Sequence, residues 1–211
     1  MKPFGGRFGR RVLVIFAICL LAVARPGLAA AAGNSPQALV GKFHNLLLMV
    51  MRDAESLGYA GRYRKLVPGL TDNFHFPLMI QVATGSFWKK ATTQQQDRLI
   101  EAFSKVSIGT YASRFSGYSG QSFVTLRQKP GPQKTILVLT KIVNPGNPDI
   151  ALSYVTREIK GSWRIIDVLL DTGISELAVR RSEYRRILKN RGIDALIGVL
   201  EEKSISLRTA G

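Results

Sequence analysis

Residues 135–170 read TILVLTKIVNPGNPDIALSYVTREIKGSWRIIDVLL, and whether this stretch forms strands or helices decides the fold. Its Val, Ile, Leu, Thr and Tyr residues fall in short runs cut by NPGNPD and KGS, residues that end a strand and reverse the chain. A further run at 122–128 precedes KPGPQ. Strands are therefore expected over 122–128, 134–143, 150–159 and 163–170. Connections this short join antiparallel neighbours, because parallel neighbours need a crossover of a dozen residues or more. In TILVLTKIV both alternating sets contain apolar residues, so that strand is expected to be covered on both faces for part of its length.

Helical spacing flanks these strands. Ser35-Pro36 is an N-cap serine followed by proline at the first helical position, and Val40, Phe43, Leu47, Val50 and Met51 recur at helical intervals in a segment running to 57. Between 59 and 118, Pro68-Gly69, Pro77, Gly85 and Gly109 punctuate the chain, which predicts short helices over 62–67, 76–84, 93–104 and 107–115, with Thr92 or Thr93 capping the third. After the strands, Ser175 caps a helix, with Ile174 and Val179 placed as a hydrophobic staple. A last helix is expected over 193–204, packing with Ile193, Leu196, Ile197 and Leu200. The fold class is thus α+β: N-terminal helices, a four-stranded antiparallel meander and two C-terminal helices.

The N-terminus carries an export pattern. Arg7, Arg10 and Arg11 precede the apolar run VLVIFAICLLAVA and then RPGLAAAAG, which is a basic region, a short hydrophobic region and a small-residue cleavage region ending near Ala30 or Ala32. Spanning a bilayer takes about 20 apolar residues, so removal is expected rather than anchoring. Residues 1–30 are read as a cleavable secretory signal and 31–211 as one domain. The single cysteine, Cys19, lies inside the apolar run, and bulky Ile18 before it argues against a lipoprotein-type cysteine. No disulfide framework is available after export, so stability rests on an ordinary core. About 180 residues bury roughly 70% of their unfolded surface, which is sufficient.

The charge needs a partner or a reason. Thirty Lys and Arg against 14 Asp and Glu give +16, and losing Lys2, Arg7, Arg10, Arg11 and Arg25 with no acid leaves +11 after export. Outside the cytoplasm the abundant polyanions are lipid headgroups and envelope polymers, so an anionic membrane surface is the expected partner and nucleic acid is not. The basic stretch DTGISELAVRRSEYRRILKNRGID, residues 171–194, agrees. Wound at 100° per residue, it places Leu177, Tyr184 and Leu188 in one seam and spreads Arg185, Arg186 and Lys189 around a flank. Glu176 with Arg180 and Arg180 with Glu183 have the spacing of helix-surface pairs. Arg181 falls at the edge of the seam. Charge distributed in this way makes no single stripe for a nucleic-acid groove.

Residues 163–203, WRIIDVLLDTGISELAVRRSEYRRILKNRGIDALIGVLEEK, resemble the C-terminal signature of the MlaC-type periplasmic lipid-binding proteins, also called the toluene-tolerance family. The match rests on the strand carrying Asp167, then Gly173-Ile174-Ser175, Arg181, Tyr184, Gly192-Ile193-Asp194 and Leu200. ISELAVRRSEY is similar to the hopanoid-biosynthesis-associated, HpnM-type subgroup. Upstream, Gly85 to Trp88, the helix at 94–103 and YASRFSGYSG at 111–120 have similar placement. The resemblance implies helices and a curved antiparallel sheet enclosing a deep apolar cavity. It also implies a periplasmic carrier of phospholipid or hopanoid-like lipid between an inner-membrane ABC transporter complex and outer-membrane components, with no catalytic residue and no cofactor. The residues expected to line the cavity are Phe74, Met79, Phe87, Trp88, Phe103, Tyr111, Tyr154, Ile165, Val168 and Leu177, with Arg181 and Arg185 near a headgroup.

Two other readings compete with a lipid carrier. Cone-shaped α+β folds can house isomerase chemistry, for which Asp72, His75 and Tyr111 would have to converge on an apolar ligand. An envelope adhesion or assembly factor would need only the basic surface. Metal chemistry is not expected, because the two histidines, His44 and His75, sit on different predicted helices without ligand spacing. GYSG at 117–120 misses the G-x-S-x-G elbow by one position and precedes a strand where the elbow follows one.

Overall fold

The computed structural model describes residues 34–170 and 173–209, together with Met1. The export signal therefore lies outside the described residues. Helix α1 (Pro36–Arg52) begins as its sequence dictates, with the Ser35 hydroxyl accepting from the Ala38 N–H at 3.1 Å. It is followed by α2 (Ala54–Asn73), α3 (Phe76–Thr84), a 3₁₀ turn over Gly85–Lys90, and α4 (Thr93–Arg114). Strands β1 (Ser122–Pro130), β2 (Thr135–Val143), β3 (Ile150–Ile159) and β4 (Ser162–Leu170) come next. A two-residue β5 (Ile174–Ser175) leads into α5 (Glu176–Thr209). Among the described residues no helix is long and apolar enough to cross a membrane.

The sheet is an antiparallel meander in the order β1-β2-β3-β4-β5, one strand more than expected. The extra strand is short: Ile174 and Ser175 pair with Leu170 and Leu169 as the chain turns back into α5. Bulges interrupt the register between Thr125 and Arg127 and between Val155 and Thr156, and bulges bend and twist the strands that carry them. On β2 the inward side chains are Val138, Thr140 and Ile142, while the alternate set is partly covered, as its double apolar pattern predicts. β1 is the exposed edge.

The helices differ from expectation where glycine and proline do not break them. Two short pieces, 93–104 and 107–115, are one helix, α4, whose Thr92–Gln95 capping box forms in both directions at 3.2 and 3.1 Å. Gly109 lies inside it because Tyr59 approaches there. A Cβ at 109 would sit 2.8 Å from the Tyr59 hydroxyl. Gly69, with Pro68 in the interior of α2, admits Leu46 of α1 in the same way. The bend in that helix is at Gly58 instead, whose φ of 55° no helical residue adopts. Buried Arg62 ties the layer together, donating to the carbonyls of Ala112 at 2.8 Å and Ala54 at 3.0 Å. Phe74 bridges to Ile165, and the His75 N–H donates to the Ile165 carbonyl at 2.9 Å, which clamps the start of α3 onto β4. The predicted boundary between two C-terminal helices is present within α5 as a bend at Gly192, with φ 81°.

Candidate functional site

Between the inner face of the sheet and the helices lies a cavity of about 290 Å³. Alternation along a strand supplies its floor: Ile150, Leu152 and Tyr154 from β3, Val168 and Leu170 from β4, and Ile142 from β2. Helical spacing supplies its roof, with Ser107, Thr110, Tyr111 and Arg114 following one face of α4. Phe74, Phe76 and Met79 close one side, and Glu176, Leu177 and Arg180 from the first turns of α5 close another. The wall is mostly apolar, as a site for a hydrocarbon requires.

The inner end is aromatic and neutral. Phe43 meets Phe74, Tyr111 and Tyr154 edge-on at centroid distances of 5.1, 5.4 and 6.0 Å. The Tyr154 hydroxyl is 3.0 Å from His44 Nε2, and the imidazole stacks on Phe123 at 4.2 Å. Burial pushes the His44 pKa down to about 4, so the ring is uncharged at neutral pH. Burial likewise raises the phenols of Tyr154 and Tyr111, keeping both protonated. Ser107 contributes a buried hydroxyl with no hydrogen-bond partner among the described residues, although Ser104 and Thr110 on the same helix donate back to the carbonyls of Ile100 and Val106.

The outer end is charged. Arg114 Nη1 lies 3.5 Å from Glu176 Oε1, and the Arg180 guanidinium sits 5.2 Å above the Phe103 ring. Thr110, Arg114, Glu176 and Arg180 also line an outer groove of about 620 Å³ between α4 and α5, bordered by Val106, Ile187 and Leu207. These four residues are the junction between the cavity and the surface. Asp167 on β4 holds the start of α5 in place. Its Oδ1 accepts from the Leu177 N–H at 3.1 Å and its Oδ2 from the Ser175 hydroxyl at 2.5 Å, while Ser175 accepts from the Ala178 N–H at 2.9 Å. Burial raises the Asp167 pKa, an effect these donors oppose.

Of the residues expected to line a cavity, Phe74, Met79, Tyr111, Tyr154, Val168 and Leu177 are brought together here. Four are placed elsewhere. Phe103 and Ile165 are fully buried in the packed core, and Phe87 and Trp88 are half-buried on the 3₁₀ turn after α3, outside the cavity lining. Arg181 packs its guanidinium against Gly85, and Arg185 points to solvent. The arginines at the mouth are Arg114 and Arg180. Sequence spacing pairs Arg180 with Glu176, but in the fold Arg114 pairs with that carboxylate from another helix. Phe76, Ile142, Leu152 and Leu170 line the cavity as well, and of these alternation from Tyr154 points to Leu152. The Ser175 cap forms, whereas Ile174 and Val179 both stay exposed.

Asp72, His75 and Tyr111 do not converge. Asp72 is exposed, and His75 caps α3 by accepting from the Leu78 N–H at 3.0 Å, so only Tyr111 reaches the cavity. Among the described residues no group of three or more His, Cys, Asp or Glu is placed to hold a metal ion.

Comparison with known families and structures places this geometry in context. The family model described as MlaC protein matches residues 42–202, which include both walls of the cavity and its mouth. Among solved structures, the phospholipid-binding protein from Ralstonia solanacearum, determined in complex with a phospholipid, superposes with a TM-score of 0.72. It is 20% identical, and the alignment covers 81% of this chain and 97% of that one. At that identity the likeness establishes a shared fold.

Proposed function

The chain belongs to the MlaC protein family, and from that premise we propose that it is a carrier that binds a lipid by its hydrocarbon tail in the cavity between sheet and helices. The single observation that carries this reading is the apolar void itself, with aromatic side chains at its closed end and charged side chains at its mouth. The phospholipid held by the Ralstonia solanacearum relative supports the same ligand class.

Magnitudes set what such a site can do. A buried methylene gains about 0.8 kcal/mol over water, so an acyl chain of ~16 carbons gains more than ~10 kcal/mol. A bilayer offers nearly the same gain, so exchange with a membrane is close to balanced and direction must come from partners. Small-ligand pockets span about 300–1,000 Å³, and this one lies at the lower limit. As it stands it holds part of one acyl chain, and a full-length tail or a two-chain lipid requires the walls to part. A rigid polycyclic hopanoid fits less well than a flexible chain. The signal at 1–30 accounts for export to the periplasm, where the natural partners of such a carrier are an inner-membrane ABC transporter complex and outer-membrane lipid-transfer components.

The test is lipid extraction and mass spectrometry of the exported protein purified without detergent. One lipid class recovered in stoichiometric amount is the expected result, and Leu152→Trp, which fills the void, should abolish it while leaving the protein folded. Empty wild-type protein that also fails to take up added lipid would refute the carrier. Recovery of hopanoids in place of acyl lipids would overturn the preference for a flexible chain.

A further inference from the structure

The mouth of the cavity has a sign. Two guanidinium groups, Arg114 and Arg180, face one carboxylate, Glu176, and all three line both the cavity and the outer groove. Glu176 is engaged by Arg114, and among the described residues no carboxylate pairs with Arg180. Of the other nearby acids, Asp167 is occupied by the Ser175 hydroxyl and the N–H groups of Val168 and Leu177, and Glu183 lines the outer groove with Lys203 but does not reach the cavity. The amino end of α5 adds its own positive potential at this spot. The Tyr111 phenol stands in the same field, which Glu176 makes more negative and Arg180 and Arg114 make more positive.

Arg180 is held as well as charged. Its guanidinium lies over the Phe103 ring, so less side-chain freedom is lost when it meets a ligand than for a solvated arginine. A lipid whose tail fills the cavity must leave its headgroup at this junction. A bidentate guanidinium matches a phosphate or carboxylate oxygen pair; a zwitterionic lipid offers the same phosphate but adds a choline or ethanolamine cation, which both arginines repel.

Resting on the carrier reading above, we propose that Arg180, with Arg114, makes this carrier selective for lipids with a net anionic headgroup, and that Glu176 limits that selectivity by pairing with Arg114. A tail in the void gives affinity for any lipid, and the mouth sorts them by charge. The protein is strongly basic overall, so the test must separate the mouth from the general surface.

Two single-chain probes with the same palmitoyl tail do this: lysophosphatidylglycerol and lysophosphatidylcholine, titrated against the exported protein below their micelle concentrations. The parent protein should prefer the anionic lipid by about tenfold at low salt, a factor that one charge-assisted contact supplies. Arg180→Gln should bring the ratio of the two affinities to within about twofold, Arg180→Lys should restore part of it, and Glu176→Gln should widen it. Arg185→Gln changes the same unit of charge on the solvent face and should leave the ratio as it was. A parent ratio near one would overturn the proposal while leaving the carrier intact, as would an equal loss in Arg180→Gln and Arg185→Gln. Failure of the parent protein to bind either lipid would remove the carrier reading, and this inference with it.

Discussion

The helical seam and the cavity wall are built from the same kinds of side chain and end in opposite states. In the seam of α1 with α2, Val40, Phe43, Leu47, Val50, Leu66 and Leu70 are completely inaccessible. Along the wall, Met79, Ile142, Leu152 and Val168 each retain 8–9% exposure, the residue of a face turned toward empty space. Helices approach closely where glycine allows it, Gly69 of α2 against Leu46 in the seam and Gly109 of α4 against Tyr59 beside it. Across the cavity the sheet and α4 are held apart by rings already locked to one another, Phe43 against Phe74, Tyr111 and Tyr154. A hollow of this kind needs a rigid end rather than a special lining, which is why its composition looks like that of any core.

Single substitutions measure the contrast. Phe43→Ala should cost about 3–5 kcal/mol in urea unfolding, because the seam cannot collapse around the gap. The adjoining His44 gives the next largest effect, through pH. Its folded pKa is about 4 against 6.5 for a free imidazole, so the unfolded state takes up the proton first as pH falls. The stability contributed by the neutral ring is complete above pH 6.5 and is lost as pH falls toward 4, by up to about 3 kcal/mol. Carboxylates titrate in part of that window too, so the comparison is with His44→Gln, whose denaturation curves should shift less between pH 7 and 4. Leu152→Ala, by contrast, should cost about 2 kcal/mol or less and shorten lipid retention, since its side chain already borders a void. If it destabilises as much as Phe43→Ala, the wall is ordinary core. The smallest effect should come from Ser107→Ala. It removes a buried hydroxyl that has no partner, so the melting temperature should stay level or rise slightly, corresponding to at most about 1 kcal/mol of added stability.

The strands were legible because their signals are local: NPGNPD and KGS fix where the chain reverses, and β3 occupies the expected 150–159. The helix breaks were less so. Glycine in a sequence marks either an unusual torsion or a close neighbour, and only tertiary structure separates Gly85, with φ 58°, from Gly109, which is helical and crowded. The site was legible by face but not by depth. Tyr111, Tyr154 and Val168 border the void, whereas Ile165, on the same strand as Val168, is packed solid against Phe74. Arg114 could not be read at all, because its partnership with Glu176 spans a strand-rich insertion between α4 and α5.

Gly192 bends α5 with φ 81° and ψ −174°, and nothing crowds the position a side chain would occupy there. Past it, Leu196, Ile197 and Leu200 anchor the final segment in the core, while Val199, Lys203 and Leu207 form one bank of the outer groove. The bend that brings this bank beside the groove is made at the one residue type that adopts these torsions without strain. With Leu196, Ile197 and Leu200 sunk in the core, that turn is held fast, and the far bank of the groove is set at a constant distance from the charged junction.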